Sequence, residues 1–204
     1  MIKEFILSGF LGKKSKNLLV WHWLNFIAII GLIFTDIFRS TWFNKNSLAN
    51  TIETKLLEFQ ITISNENAIS LAKLIRADMW QWHYIFGFML VFLILFRMFA
   101  FLILKEKNPI QKIKTADNLH LRLVKIAHIM FYIVTIYVCI SGLMMFFRNE
   151  LGLTKASLSI FKELHVYSFW FYIFFIFSHV IGVVKAENST DKGLISEMFG
   201  SNKK

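Results

Sequence analysis

The chain has six histidines, and four of them, in or at the edge of long apolar stretches, matter most for its chemistry: His22, His83, His165 and His179. His165 and His179 are fourteen residues apart. On an α-helix that separation spans roughly 21 Å and falls about 40° short of four full turns. Both imidazoles are therefore predicted to project from nearly one helix face at two different depths. Because neutral imidazole is a good ligand for iron, zinc and copper, these positions are candidates for metal or haem ligation.

Four apolar segments position these histidines. The chain has 204 residues, of which 56% are hydrophobic, with 23 Phe and one Pro. A bilayer core needs about 20 apolar residues as helix, and each such segment must satisfy its own backbone hydrogen bonds in hydrocarbon. We predict an all-α fold, an integral membrane four-helix bundle that forms a single domain over residues 1–204. The predicted transmembrane helices are residues 18–38, 80–104, 127–147 and 166–184.

The distribution of positive charge predicts the orientation of these helices. Fourteen Lys and Arg residues lie in the N-terminal segment, the loop between the second and third helices and the tail, against eight in the other two loops. Since Lys and Arg concentrate in cytoplasmic loops, both termini are predicted to be cytoplasmic. The net charge of +10 then reflects topology and contact with anionic membrane lipid. Nucleic-acid binding is not expected.

The segment between the first two helices, residues 39–79, is too long for a bare loop. One stretch with helical spacing contains Leu48, Ile52 and Leu56. A second stretch follows Ser64 and Asn65, which form a helix-capping signal. These patterns predict a small helical cap on the periplasmic side.

The predicted topology sorts the four histidines into two levels. His22 and His179 lie near the cytoplasmic ends of their helices and are called the inner pair. His83 and His165 lie near the opposite ends and are called the outer pair. Two neutral imidazoles on facing helices can supply both axial ligands of a haem, so the pattern predicts two haems, one per leaflet. Cys139 is the only cysteine, which excludes covalent attachment through a Cys-x-x-Cys-His motif.

Three further polar residues, Arg97, His128 and Asp36, are predicted to lie at or near the depths of the two histidine pairs. Arg97 lies fourteen residues after His83, at the inner level. It either pairs with a haem propionate or extends its charge to the inner headgroups. His128, at the inner start of the third helix, either lines a quinone site or takes up protons, or else caps an interface or bonds a propionate. Asp36, near the outer end of the first helix, either accepts a quinol proton or lies among the headgroups.

A zinc or copper protein, or a metal transporter without haem, would also use intramembrane histidines. Metal sites usually gather three or four ligands at one depth, often with carboxylates. Here the histidines divide into two pairs about 20 Å apart along the helices, which favours haem.

Short motifs stand in a fixed order along the four predicted helices. The first helix opens with Trp21-His22-Trp23-Leu24-Asn25, the second with His83-Tyr-Ile-Phe-Gly87, and the third ends with Ser141-Gly142-Leu143-Met144. The fourth carries Glu163-Leu-His165 and His179-Val-Ile-Gly182-Val-Val, and the tail contains Lys192-Gly-Leu-Ile-Ser-Glu-Met. Over residues 17–200 this order and spacing resembles the bacterial cytochrome b561 and nickel–iron hydrogenase b-type cytochrome subunit family.

The resemblance implies two non-covalent haem b groups, an inner one ligated by His22 and His179 and an outer one by His83 and His165. It implies electron transfer between quinone and a c-type cytochrome or a dehydrogenase or hydrogenase subunit, in the inner membrane of a bacterium. This favours an electron-transfer subunit over an independent enzyme, and a homodimer is compatible with it. Relatives that work alone as quinone or superoxide oxidoreductases provide the alternative, and a purely structural anchor subunit is another.

The chain departs from the family pattern in two places. Asp36 follows Thr35 where the family usually has Gly, which affects helix packing near the outer haem. Residues 39–79 also form a longer insertion than in simple members, and this insertion is a candidate docking surface for a periplasmic partner.

Overall fold

The computed structural model describes residues 16–104, 119–188 and 193–199. The basic N-terminal segment, most of the loop after residue 104 and part of the tail lie outside these residues. Each regular element described is an α-helix, which confirms the predicted fold class. In chain order the helices are α1 (Lys16–Ser40), α2 (Lys45–Glu58), α3 (Asn65–Ile75), α4 (Ala77–Leu104), α5 (Leu119–Phe146), α6 (Ser159–Asn188) and α7 (Leu194–Met198).

Four of the described helices are long and apolar enough to cross a membrane, as predicted. The spans are Leu19–Ser40, Ala77–Leu102, Arg122–Phe146 and Ser159–Asn188. Large apolar side chains on them face outward: Phe92 is 67% exposed and Phe174 72% exposed. A water-soluble protein avoids such a surface, whereas lipid tails cover it at no cost. The bundle arrangement, the cytoplasmic termini and the periplasmic side of the cap stay predictions.

The described residues form two compact units, and each is described separately. The first unit contains residues 16–24 of α1 and the described residues from Val91 onward. Within it, the buried Tyr172 of α6 donates a hydrogen bond to Thr135 Oγ1 of α5 at 3.0 Å. The Tyr137 hydroxyl of α5 donates to the Phe161 carbonyl of α6 at 3.1 Å. These bonds fix the register between α5 and α6, because a buried hydroxyl is costly to leave unpaired.

The short helix α7 is held against the start of α1 in the first unit. Trp23 Nε1 donates to the Met198 carbonyl at 2.9 Å, and its ring centroid lies 5.1 Å from that of Phe199. The Glu187 carboxylate accepts from the backbone N–H groups of Gly193 and Ile195, each at 2.9 Å. A carboxylate at a helix N-terminus satisfies donors that have no intrahelical partner.

The second unit is Asn25–Leu90, and it contains the helical hairpin α2–α3. Asn44 and Ser64 cap the two helices, each accepting backbone N–H bonds through its side chain, so the predicted Ser64 cap is confirmed. Between the helices Gln60 adopts a left-handed conformation with φ of 62°, and the Ile61 N–H donates back to the Leu56 carbonyl at 3.0 Å. This is the bonding of a helix C-terminus that reverses chain direction.

The hairpin has a core of small side chains. Ala49, Ala68 and Ala72 are each no more than 1% exposed. Leu48, Ile52, Ile63 and Ile69 are partly buried against them. Alanine at the contact allows the two helices to approach closely, so a larger side chain has no room there.

Replacing Ala72 with Leu is expected to destabilise the hairpin by about 1–3 kcal/mol, the usual cost of inserting methylene groups into a packed core. Ser70→Leu is the matched control, because Ser70 lies on the exposed face of the same helix. Limited proteolysis of the purified protein in detergent measures the difference. Equal cleavage rates within residues 45–75 of the two variants would contradict this account of the hairpin core.

Candidate functional site

The two histidines of the inner pair approach each other in the first unit. The ring centroid of His22, on α1, lies 6.2 Å from that of His179, on α6, with the ring planes inclined by 48°. Both side chains are half-buried. Two metal–nitrogen bonds of about 2 Å, each extended to the centre of its ring, place two imidazole centroids about 6 Å apart across one metal atom. The observed separation therefore fits two axial ligands of a single haem iron.

His128 contacts the same site from α5. Its centroid lies 6.1 Å from that of His179, and the two rings are nearly perpendicular. His128 Nδ1 is 2.7 Å from the Val124 carbonyl oxygen one turn earlier, so Nδ1 carries the proton and donates. In contrast to the inner pair, His128 is exposed. His179 is thus flanked by imidazoles from two different helices.

Aromatic side chains form the walls of this inner site. The Phe175 ring is parallel to that of His179, at a centroid distance of 5.9 Å and an angle of 6°. The Trp23 ring meets His22 edge-on at 5.8 Å. Such contacts hold the imidazoles in place and keep water away from them. They also provide an apolar environment that suits a porphyrin.

Arg97 lies close to the start of α1, as its predicted depth requires. Its guanidinium carbon is 6.0 Å from the centroid of the Trp21 ring, in cation–π range. The buried Trp21 in turn donates through Nε1 to the Leu93 carbonyl of α4 at 2.9 Å. Arg97 therefore contacts the residue that directly precedes His22 in the sequence, at the level of the inner pair.

His165 has a hydroxyl partner on α5. Ser141 Oγ lies 2.8 Å from His165 Nδ1, and the same hydroxyl donates to the Val138 carbonyl at 3.2 Å. Ser141 is completely buried. A hydroxyl has one proton, so when that proton is donated to a carbonyl the oxygen must accept from Nδ1–H of the imidazole. This arrangement places the lone pair of His165 on Nε2, the atom through which a neutral imidazole can bind a metal.

His83 has the same arrangement in the second unit. Thr35 Oγ1 of α1 lies 2.8 Å from His83 Nδ1 of α4, and it donates to the Leu32 carbonyl at 2.8 Å. Thr35 is buried, with 6% of its surface exposed. By the same count of protons His83 donates through Nδ1, so its lone pair is on Nε2. The pairing of His83 with His165 stays a prediction, since each is described within its own unit.

The sequence analysis did not assign Thr35 and Ser141 to the site. Thr35 entered it only as the neighbour of Asp36, and Ser141 only as part of a motif. The signal was a hydroxyl residue inside an apolar run, where a polar group needs a partner. Asp36 itself accepts two bonds from Arg39, with its nearest guanidinium nitrogen at 2.7 Å, so a salt bridge engages this carboxylate.

The described residues contain no group of three or more His, Cys, Asp or Glu side chains arranged to hold one metal ion. The alternative of a zinc or copper centre therefore finds no ligand set in that part of the chain.

Four glycines of the membrane-crossing helices have different surroundings. A Cβ on Gly31 of α1 would lie 2.5 Å from the Phe86 ring of α4, so an aromatic side chain fills that space. A Cβ on Gly142 would lie 3.3 Å from His165 Cε1. At Gly87 and Gly182 an added Cβ meets no atom within 4 Å. Gly31 thus sets the spacing of α1 and α4 one turn before Thr35, which bonds His83.

Membrane-crossing helices that carry half-buried imidazoles are typical of helical membrane cytochromes. The family described as prokaryotic cytochrome b561 matches residues 15–201. The chain belongs to this family, whose members bind b-type haem and transfer electrons in the membrane. The match confirms the resemblance found in the sequence. Comparisons with curated proteins and with solved structures return no match.

Gly31→Ala is expected to lower the stability of the protein by about 1–3 kcal/mol, because the new methyl group forces Phe86 or the helices to shift. Gly87→Ala is the matched control, since its methyl group enters open space and both positions are within helices. Thermal denaturation in detergent compares the two variants. A melting temperature of Gly31→Ala equal to that of Gly87→Ala would show that the Phe86 contact does not set the helix spacing.

Proposed function

We propose that this protein is a di-haem b-type cytochrome that transfers electrons between the quinone pool and a periplasmic or membrane redox partner. The observation that carries the proposal is the 6.2 Å separation of the His22 and His179 rings. Membership of the cytochrome b561 family supports haem b as the cofactor. Haem b supplies one-electron redox chemistry when it is bound.

His22 and His179 are the proposed ligands of the inner haem. His128 lies equally near His179, but two observations favour His22. His22 is half-buried, whereas His128 is exposed. The Trp23 ring packs against the His22 ring. His128 is proposed to line the mouth of the inner site.

His83 and His165 are the proposed ligands of the outer haem. Their Nδ1–H groups donate to hydroxyls of neighbouring helices, and this fixes both the tautomer and the rotation of each ring. A ligand imidazole that donates its second N–H in this way is more basic and better oriented. Thr35 and Ser141 are therefore proposed to be positioning residues for the two ligands.

The remaining side chains tune and protect the cofactors. Aromatic rings such as Phe175 exclude water and lower the local dielectric, which strengthens the effect of nearby charges. Arg97 brings a positive charge to the inner level, where a haem propionate is its proposed partner. The quinone and the redox partner are proposed from the family resemblance, and the long segment of residues 39–79 is the proposed docking surface for the partner.

The purified protein is expected to contain two haem b groups per chain by pyridine haemochrome assay, and His179→Ala is expected to retain one. His22→Ala should also retain one, whereas His128→Ala should retain two, because His128 is proposed to be a neighbour and not a ligand. Loss of a haem in His128→Ala with retention of both in His22→Ala would reverse the ligand assignment. A wild-type protein without haem would end the proposal.

Ser141→Ala is expected to weaken retention of one haem about 10- to 100-fold, the range found for residues that orient metal-bound histidines. The midpoint potential of that haem should rise, since a less basic imidazole stabilises the oxidised iron less well. Ser178→Ala is the matched control: its hydroxyl lies next to His179 in sequence but donates to the Phe175 carbonyl of its own helix. Redox titration followed in the visible spectrum measures both effects. Identical titrations for the two variants would remove Ser141 from the site.

A further inference from the structure

Arg76 is a buried cation that the proposed electron-transfer path has not used. It caps the C-terminus of α3 immediately before α4 begins. Only 7% of its surface is exposed, and its Nε has no hydrogen-bond partner. The guanidinium carbon lies 5.8 Å from the centroid of the Trp80 ring. The aromatic face covers the cation, but it offers no acceptor for Nε.

The surroundings of Arg76 leave its charge uncompensated. In the described part of the chain no carboxylate forms a salt bridge with it, and Asp36 forms a salt bridge with Arg39 instead. Burial and the positive charge of Arg39 both lower the pKa of Arg76. An arginine nevertheless stays protonated in proteins. A buried cation of this kind is stable only when an anion completes its environment.

The position of Arg76 connects this missing anion with His83. The Trp80 N–H donates to the Arg76 carbonyl at 3.4 Å, so Arg76 lies at the first turn of the chain leading into α4. Residues 76, 80 and 83 follow a spacing of four and three, which places them on one helix face. The Trp80 and His83 rings are in contact, with centroids 5.5 Å apart. Arg76 is therefore about 10 Å further along this face than His83, toward the helix end.

We infer that Arg76 binds a propionate carboxylate of the haem that His83 ligates. This inference rests on the proposed function. Haem carries two propionates, and a guanidinium presents parallel N–H donors that match a carboxylate. The unpartnered Nε is one of those donors.

Two other roles for Arg76 give different experimental results. As a capping residue it would only stabilise the C-terminus of α3 through the helix dipole. As a ligand for an anionic lipid headgroup it would depend on the lipid composition and leave the haem unaffected. Propionate binding is expected to change both the midpoint potential and the retention of the haem that His83 ligates, whereas a charge that acts only through space would change the potential alone.

The test compares Arg76→Gln and Arg76→Lys with Lys73→Gln in the full-length purified protein. Lys73 is exposed and lies three residues before Arg76, so this control removes the same charge from the same segment. Arg76→Gln is expected to lower the midpoint potential of the haem that is lost in His83→Ala, since a nearby cation favours the reduced form. That haem should also transfer to a haem acceptor about tenfold faster. Arg76→Lys keeps the charge and should show an intermediate potential.

The remaining outcomes decide against the inference. Unchanged potentials in Arg76→Gln, or equal shifts of both haems, would overturn propionate binding, as would a change that occurs only in vesicles with anionic lipid. If Arg76→Gln does not fold, Arg76→Lys takes its place in the test. A midpoint potential of Arg76→Lys equal to that of Lys73→Gln would then overturn propionate binding. If the wild type holds two haems and the Arg76 variants leave both midpoint potentials unchanged, this inference is rejected and the proposed function is not. A wild type without a His83-dependent haem rejects it together with the outer site of the proposed function.

Discussion

The structure depends on one constraint: an imidazole in a hydrocarbon environment must have both of its ring nitrogens engaged. Water is not there to solvate them, and an unpaired polar group costs several kcal/mol in such a medium, about 4–8 for transfer to an alkane. For His83 and His165 the first nitrogen is satisfied by a buried hydroxyl, and that hydroxyl is satisfied by a carbonyl of its own helix. Each donor and acceptor is then fixed: the imidazole Nδ1–H donates to the hydroxyl, and the hydroxyl donates to the carbonyl. The lone pair of each imidazole is then on Nε2, the atom through which a neutral imidazole can bind a metal.

The two levels satisfy this constraint by different means. At His83 and His165 the rings are oriented by hydrogen bonds from neighbouring helices. At the inner level the His22 and His179 rings are oriented by contacts with Trp23 and Phe175. Packing permits more rotation than a hydrogen bond does, so the ring orientations of His83 and His165 are more tightly defined than those of His22 and His179.

Long-range patterns in the sequence predicted most of the fold. Four apolar runs determined the membrane helices because the membrane requires length and apolarity, two properties that composition reveals directly. The helices extend beyond those runs, from Leu119 in α5 and to Asn188 in α6, since a helix continues through the headgroup region with polar residues. The Ser64 cap was predicted because its signal is local.

The parts that the sequence did not predict depend on contacts between distant residues. Nothing in the spacing indicates that Thr35 bonds a histidine 48 positions away, or that Phe86 fills the space beside Gly31. Helix α7 depends on Trp23, which is 175 positions from Met198. The burial of Arg76 was equally hidden, because a single arginine after an amphipathic helix is usually an exposed C-terminal cation. The folded structure instead buries Arg76 against the Trp80 ring.

Burial also determines which charges matter to an electron carrier. Reduction adds a negative charge to a cofactor, so each nearby cation stabilises the reduced state. At a separation of about 8 Å a unit charge contributes about 2 kcal/mol when the effective dielectric constant is about 20, and about 0.5 kcal/mol in bulk water. Arg76 is covered by Trp80, and Arg97 lies beside Trp21, whereas Lys73 is in contact with solvent. Among the described basic residues, Arg76 and Arg97 lie against tryptophan rings, so their charges are less screened than that of the exposed Lys73.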